Sequence, residues 1–442
     1  MKKETFEQIT DYLRDITKGT KYDKHVYAVG GCCRDYRAGR EIKDIDLVID
    51  LPDGGIKFAK YLERKGITTG TVVTYEHFGT AMFHLKEFPE YELEAVQTRR
   101  EAYRDMESRN PETAYGSLTD DCRRRDFTYN AIYYRISDRA FMDFNGHSYE
   151  DLKNNVLRTC GSPDIIFTED PLRCLRAVRF SSRFGSTIEE ETYNGMVEFV
   201  DRLSIISRER IYEEFKKMIS TGDYYTTQYA ICTLWDIGAF KYILPHLHTM
   251  KMLDRMYLLN RIGRTCQHYP PKFEEVMAAI MWGYDDAETE LRDLKLSNDE
   301  INEILFYINE NKALQAIIGN EDIEMYLSRK VMNDCGDERR FLTATIIGSA
   351  ELYHEFHAVY EDGFDEYNSL YDYIIEHEKE YFTYRLPVDG NDVMEVLGIK
   401  PGPEIKTVLN SLMNFAYINK NEKDEKNIRS YLKYIVDTRK KD

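Results

Sequence analysis

Cysteine pairs at metal or redox spacing are missing from this 442-residue chain: eight cysteines lie scattered and none forms a C-x-x-C. Zinc-site spacing and a disulfide framework are thereby excluded, and reduced thiols in a cytoplasm fit best. No apolar run approaches the ~20 residues of a membrane span, so no membrane partner is expected. The opening MKKETFEQITDYL lacks the apolar core of a secretory signal and is spaced as an amphipathic helix. Internal repeats and low-complexity tracts are absent as well. Positive charge is in deficit: 60 Lys and Arg face 78 Asp and Glu, a formal charge of −18. A generally adhesive, basic nucleic-acid binder is excluded. Nothing in the pattern sets an oligomeric state.

The deficit is uneven. Residues 1–250 hold 36 Lys and Arg against 41 Asp and Glu, whereas residues 251–442 hold 24 against 37. Contact with RNA must therefore use local clusters. Candidates are Arg99-Arg100-Arg104, Arg123-Arg124-Arg125, the series Arg173, Arg176, Arg179, Arg183, and Arg439-Lys440-Lys441. Each, taken singly, also reads as a solvated face.

What is present points to a chain of several domains with ample material for cores. Residues 1–20 read as a helix. Short β-type runs follow at His25–Val29, Ile45–Ile49, Val72–Tyr75, Thr80–Leu85, Tyr91–Thr98, Ala131–Ile136 and Ala140–Asp143, with a helix at Ile56–Lys65. This pattern predicts an α/β or α+β head. Beyond Asp143 the β signal fades. Leu172 to Phe184 has apolar residues at helical spacing beside its arginines, and helix-like patterns continue to the end. Breaks fall near Tyr269-Pro270-Pro271, Asp362-Gly363 and Leu386-Pro387. The Tyr- and Glu-rich stretch from Tyr353 to Tyr384 reads as helix-packing aromatics or a base-stacking surface.

Chemistry concentrates in VGGCCRDYRAGREIKDID, Val29 to Asp46. Gly30-Gly31 lets backbone N–H groups approach a phosphate, with Arg34-Asp35 just beyond. Asp44 and Asp46 flank Ile45 at a strand start, so both carboxylates project to one side, about 6–7 Å apart. Mg²⁺ takes oxygen ligands and is usually held by one or two carboxylates plus substrate phosphates. Taken alone, such a strand end is also a solvated edge. Glu94, in YELEAVQTRR, would add a third carboxylate from a neighbouring strand for in-line displacement. In DCRRRDFTYN, three arginines beside apolar Ala131-Ile132 require an anionic partner. A triphosphate or a structural ion-pair network would serve.

The segment FTEDPLRCLRAVR carries a recognition argument. Pro171 suits a helix's first turn, making Asp170 its N-cap. Asp170 and Arg173 stand at i and i+3, on one face. Cytosine and adenine both show an exocyclic amino donor beside a ring-nitrogen acceptor; a carboxylate and an arginine complement that pair. Uracil and guanine present the reverse and would leave buried groups unpaired. The same two residues also fit a plain N-cap with an ion pair.

Six such segments in this order over residues 20–215 resemble the class II tRNA nucleotidyltransferase (CCA-adding) and bacterial poly(A) polymerase family. The resemblance implies an α+β chain: a polymerase β-like nucleotidyltransferase head (1–145), then an all-helical neck (146–220), body (221–385) and tail (386–442). It implies attack of an RNA 3′-hydroxyl on the α-phosphate of CTP or ATP, with the tRNA 3′ end as substrate. Asp44 and Asp46 would hold two Mg²⁺ ions and Glu94 would help activate the hydroxyl. Gly30, Gly31 and Arg34 would hold the triphosphate. Asp121, Arg124, Arg125, Asp126 and Asn130 would bind its sugar and phosphates, and Asp170 and Arg173 would read the base beside Arg176 and Arg179. Glu169, Glu209 and Arg210 would brace that pair. Gly146, in DFNGHSYEDL, is expected at positive φ in the head–neck linker, with His147 a turn residue. The tail, around Pro401-Gly402-Pro403, would grip tRNA. The metal pair of a fused His-Asp domain is replaced by Trp282-Gly283, so a vestige there would lack metal chemistry. His77-Phe78-Gly79-Thr80 stands where poly(A) polymerases carry a basic run, which favours CCA addition. Poly(A) synthesis, A-only or C-only addition governed by a loop at Arg104–Leu118, and a non-catalytic RNA-binding protein are the rivals.

Overall fold

A computed structural model describes residues 1–76, 79–102, 112–220, 223–266, 272–315, 385–418 and 424–439, with a few positions between 339 and 347. The expected breaks at 269–271 and 362–363, the stretch 353–384, and His77, Phe78, Arg104, Lys440 and Lys441 lie outside the described residues.

Seven strands form one mixed sheet: β1 (Val26–Val29), β2 (Ile45–Ile49), β3 (Thr68–Tyr75), β4 (Thr80–Leu85), β5 (Phe88–Gln97), β8 (Ile132–Arg135) and β9 (Ala140–Asp143). Their order is β3-β4-β5-β2-β1-β8-β9. Only β2 and β5 pair in parallel, placing Asp46 opposite Glu94; the other neighbours are antiparallel.

Strand alternation divides the sheet's residues between two faces. Val26 and Ala28, Ile45, Leu47 and Ile49, Leu93 and Ala95 enter one core with Phe6, Ile9 and Leu13 of α1 (Lys3–Thr17) and Phe58, Ala59 and Leu62 of α3 (Gly54–Arg64). Their neighbours Tyr27, Val29, Val48 and Tyr133 form a second, smaller core with Cys122 of α4 (Leu118–Arg123). Asp46 and Glu94 interleave with the first set along their strands, so they open onto the second face. Ser117 and Asp120 close a reciprocal cap on α4, which fixes the helix carrying Asp121.

Two features depart from the expected pattern. β6 (Arg99–Ala102) and β7 (Glu112–Tyr115) pair in a separate two-stranded ribbon. The loop expected over Arg104–Leu118 therefore ends in a strand and a helix cap. A second small pair, β10 (Val156–Leu157) with β11 (Thr187–Ile188), lies where only helices were expected.

At the linker, Gly146 has φ +79° as expected. Asp143 Oδ1 accepts from the N–H groups of Asn145 and Gly146. His147 ends that turn as the N-cap of α5 (Ser148–Asn154). Then follow α6 (Pro163–Glu169), α7 (Leu172–Phe184), α8 (Glu190–Phe199) and α9 (Arg208–Ile219). Contacts divide the chain into two compact units, residues 1–221 with 229–249, and residues 222–228 with 250–442. The first holds the sheet, a helix at Gly31–Arg37 (α2) and the other helices from α1 to α9. Within the second, the helices at 390–397, 403–418 and 425–439 pack around Val393, Val408, Leu412, Ile428 and Leu432. No described helix is long and apolar enough to cross a membrane.

Candidate active site

At the end of β1 the chain turns through Gly30, whose φ of +81° leads into α2 (Gly31–Arg37). A Cβ there would lie 3.4 Å from Asp46 Oδ2 and 3.9 Å from the Asn130 carbonyl oxygen. Glycine is needed for its conformation, and its missing side chain leaves room above Asp46.

Burial pushes the Asp46 carboxyl up to about 6, with Glu94 and Asp44 adding like charge and Arg125 opposing them. Burial also raises Glu94, helped by Glu92 and Asp44. Asp44 is exposed and precedes β2 rather than lying in it. Among the described residues, no three His, Cys, Asp or Glu side chains are grouped so as to hold a metal ion. The donors form an open carboxylate set, not a closed cage. That suits a hard cation sharing its coordination with water and phosphate, and a cation would offset the burial and like charge that raise Asp46.

Asp121 is wholly buried beside this set. It accepts from Arg124 Nε at 3.0 Å, from Arg125 Nε and Nη2 at 3.2 and 3.0 Å, and from the Tyr133 hydroxyl at 2.7 Å. Burial alone would raise its carboxyl; the two guanidinium groups and the hydroxyl bring it down to about 2. Asp126 is likewise held below the ordinary range against burial, chiefly by Arg176, whose Nη2 lies 2.6 Å away. This segment therefore forms an ion-pair network, which holds Arg124 and Arg125 to Asp121 and leaves Arg125 beside Gly30 and Asp46.

Arg34 does not stand free. Its Nε and Nη2 bond Asp35 at 2.9 and 2.7 Å, its Nη1 bonds Asn130 Oδ1 at 2.6 Å, and its plane packs 4.5 Å from the Phe184 ring centroid. It positions Asn130, whose Nδ2 reaches Asp126 at 3.3 Å.

The alternative of an Asp170–Arg173 ion pair is not realised. Asp170 closes α6, one residue before the true N-cap of α7, Pro171; its Oδ1 accepts from Leu172 N–H at 3.2 Å. Its Oδ2 accepts from Arg210 at 2.8 Å. Arg173 donates to Glu169 at 3.2 Å, to the Ile166 carbonyl at 3.1 Å and to the Arg124 carbonyl at 2.8 Å. The two side chains are thus braced separately, Arg173 directly against the triple-arginine segment. Glu209 is exposed and has no partner among the described residues. The buried carboxylate of α9 is Glu214, which takes Arg179 at 2.7 Å and Arg176 at 3.5 Å. Sequence reading missed it. Its signal was a carboxylate on the apolar stripe Ile211, Phe215, Met218.

Residues 26–158 match the model of the poly(A) polymerase head domain, and residues 185–251 match that of the probable RNA- and SrmB-binding site of polymerase A. The CCA-adding enzyme of a Staphylococcus aureus strain is 28% identical over 414 residues, covering 93% of this chain and 94% of that protein. The fold is similar to that of the Thermotoga maritima CCA-adding enzyme complexed with tRNA (TM-score 0.68, 22% identity, 98% of this chain and 95% of that one). It is also similar to that of the Bacillus stearothermophilus CCA-adding enzyme in complex with CTP (TM-score 0.66, 22% identity, all of both chains).

Proposed function

We propose that this chain is a template-independent tRNA nucleotidyltransferase of the family of CCA-adding enzymes and bacterial poly(A) polymerases, a reading supported by its head-domain match and its likeness to CCA-adding enzymes over 93% of its length. It adds C, C and A to the tRNA 3′ end from CTP and ATP. The RNA 3′-oxygen forms a bond to the α-phosphorus as the bond to pyrophosphate breaks. The observation that carries this reading is Asp46, in register with Glu94 on the neighbouring strand and 3.4 Å from the Cβ position of Gly30, with Arg125 of segment 121–130 at 3.9 Å from that same position.

Divalent-metal dependence is general for this family, and Mg²⁺ suits the oxygen donors here. Asp44 and Asp46 would hold it, and bound there it would offset phosphate charge and favour loss of the 3′-hydroxyl proton. Glu94 accepts that proton. The backbone at Gly30 and Gly31 admits the triphosphate closely, with Arg124 and Arg125 held toward it by Asp121. Arg34 and Asp126 fix Asn130 against the sugar. Asp170 accepts from the amino group of cytosine or adenine and Arg173 donates to the ring nitrogen. Glu169 and Arg210 hold those two groups; Arg176 and Arg179 tie the reading helix to Asp126 and to α9.

The chain divides into a head (1–145), neck (146–220), body (221–385) and tail (386–442). The head-domain match and the separate apolar core of the last three helices support that division. Action on tRNA supports a cytoplasmic location. The test is extension of a tRNA lacking CCA with CTP, ATP and Mg²⁺ by the wild-type protein and by Asp46→Ala. Extension by the first and none by the second is expected; equal extension by both would remove the metal site from this account.

A further inference from the structure

Three guanidinium groups converge on one phenylalanine. Arg34, Arg40 and Arg183 lie 4.5, 4.4 and 5.3 Å from the Phe184 ring centroid. Arg34 is neutralised by its two bonds to Asp35. Arg40 and Arg183 are exposed and pair with no carboxylate among the described residues. The ring they share is a fixed platform. It stacks on Phe180 at 5.9 Å and 10°. Asn155 Nδ2 holds its turn through the carbonyls of Phe184 and Gly185, at 3.0 and 2.9 Å. Two unpaired cations held on one ring, in a chain of net charge −18, are a local departure that repulsion disfavours unless an anion is shared.

We propose that Arg40 and Arg183, seated on Phe184, form a phosphate-binding subsite for the backbone of the RNA strand behind its reacting 3′ end. This rests on the RNA-extending function above. Arg34 links the subsite to the catalytic face through Asn130, whose carbonyl borders Gly30. The pair therefore flanks the reaction centre without belonging to it. The nucleotide's own triphosphate is served by Gly30, Gly31, Arg124 and Arg125, leaving the outer pair to a second phosphate source. Arginine favours such contacts because its fork matches phosphate oxygens.

The test compares wild type, Arg40→Ala/Arg183→Ala and Arg40→Lys/Arg183→Lys. KM for tRNA lacking CCA, KM for CTP, and binding of fluorescent tRNA are each followed over a KCl series. The alanine pair should raise KM and Kd for RNA roughly tenfold with KM for CTP unchanged. It should flatten the salt dependence of RNA binding by about 0.7, the slope of one single-strand phosphate contact. The lysine pair should recover most of that slope, and equal melting curves would show that the fold is intact. A raised KM for CTP with unchanged RNA binding would assign the guanidinium groups to the triphosphate and overturn the proposal; unchanged values throughout would make them a solvated face. If the wild type extends no RNA, the function above fails, while the binding series still decides whether this subsite holds RNA phosphate.

Discussion

Asp46 and Asp121 are both acidic residues on the site face, yet their surroundings drive them in opposite directions. Asp46 is raised to about 6 by burial and like charge. Its penalty is absent below the ordinary carboxylate value near 4 and fully present above about 6. In metal-free buffer at pH 7, Asp46→Asn should therefore raise unfolding stability by on the order of 1 kcal/mol while abolishing extension; urea melts and an extension assay check both. Asp121 is lowered to about 2, so its contribution is present above about pH 4 and lost as pH falls toward 2. Asp121→Asn should cost about 3–5 kcal/mol at neutral pH, since it leaves buried guanidinium groups short of a counter-charge. The gap between variant and wild type should narrow in melts at acid pH. Asp170→Ala should leave Arg210 and the base amino group unpaired, lowering the kcat/KM preference for CTP over UTP by on the order of 10- to 100-fold. Residue identity was the most legible level in the sequence, because D-x-D and E-D-x-x-R are local patterns. Partnership was not. Asp170 with Arg210 and Glu214 with Arg179 span 40 and 35 positions, and only packing of α9 onto α7 joins them.

The elements hold these residues through turns that tolerate little change. Gly30→Ala would force a side chain into φ +81° with Asp46 Oδ2 at 3.4 Å. A loss of about 1–3 kcal/mol and at least a tenfold fall in extension rate are expected. Thermal melts with wild-type kinetics would show that the turn has more room than this. Strands β2, β4 and β9 and helix α7 start and stop where hydrophobic periodicity places them. There the apolar runs were compact, and Asp44 and Asp50 bound β2, Gly79 precedes β4, and Pro171 and Gly185 bound α7. The reading failed where pairing was non-local or marginal. β6 and β7 are short and polar, β10 and β11 have two residues each, and no local pattern marks strands of that kind. Asp170 was misplaced by one position because Pro171, whose φ of −57° suits a helix start, took the N-cap itself.

At the scale of the molecule, charge and division tell the same story. With −18 overall and the greater deficit after residue 250, electrostatic attraction to RNA is concentrated in arginines of the first compact unit, and the tail must hold tRNA through local contacts. Residues 1–249 expressed alone should keep CTP binding by equilibrium dialysis while KM for tRNA rises. A fragment that binds tRNA as tightly as the full chain would leave the tail without its proposed grip. The α/β head and helical remainder were legible from strand and helix periods, whereas the two-unit division was not, because residues 222–228 and 229–249 fall to different units within one continuous helical stretch. The central claim is stepwise, base-selected addition. It is tested most directly by following, at single-nucleotide resolution, extension of tRNAs ending before CCA, after one C and after both. Each is supplied with Mg²⁺ and CTP, ATP or both. Addition of C, then C, then A, with arrest after A, is predicted; long A tails or addition of one nucleotide type only would contradict it.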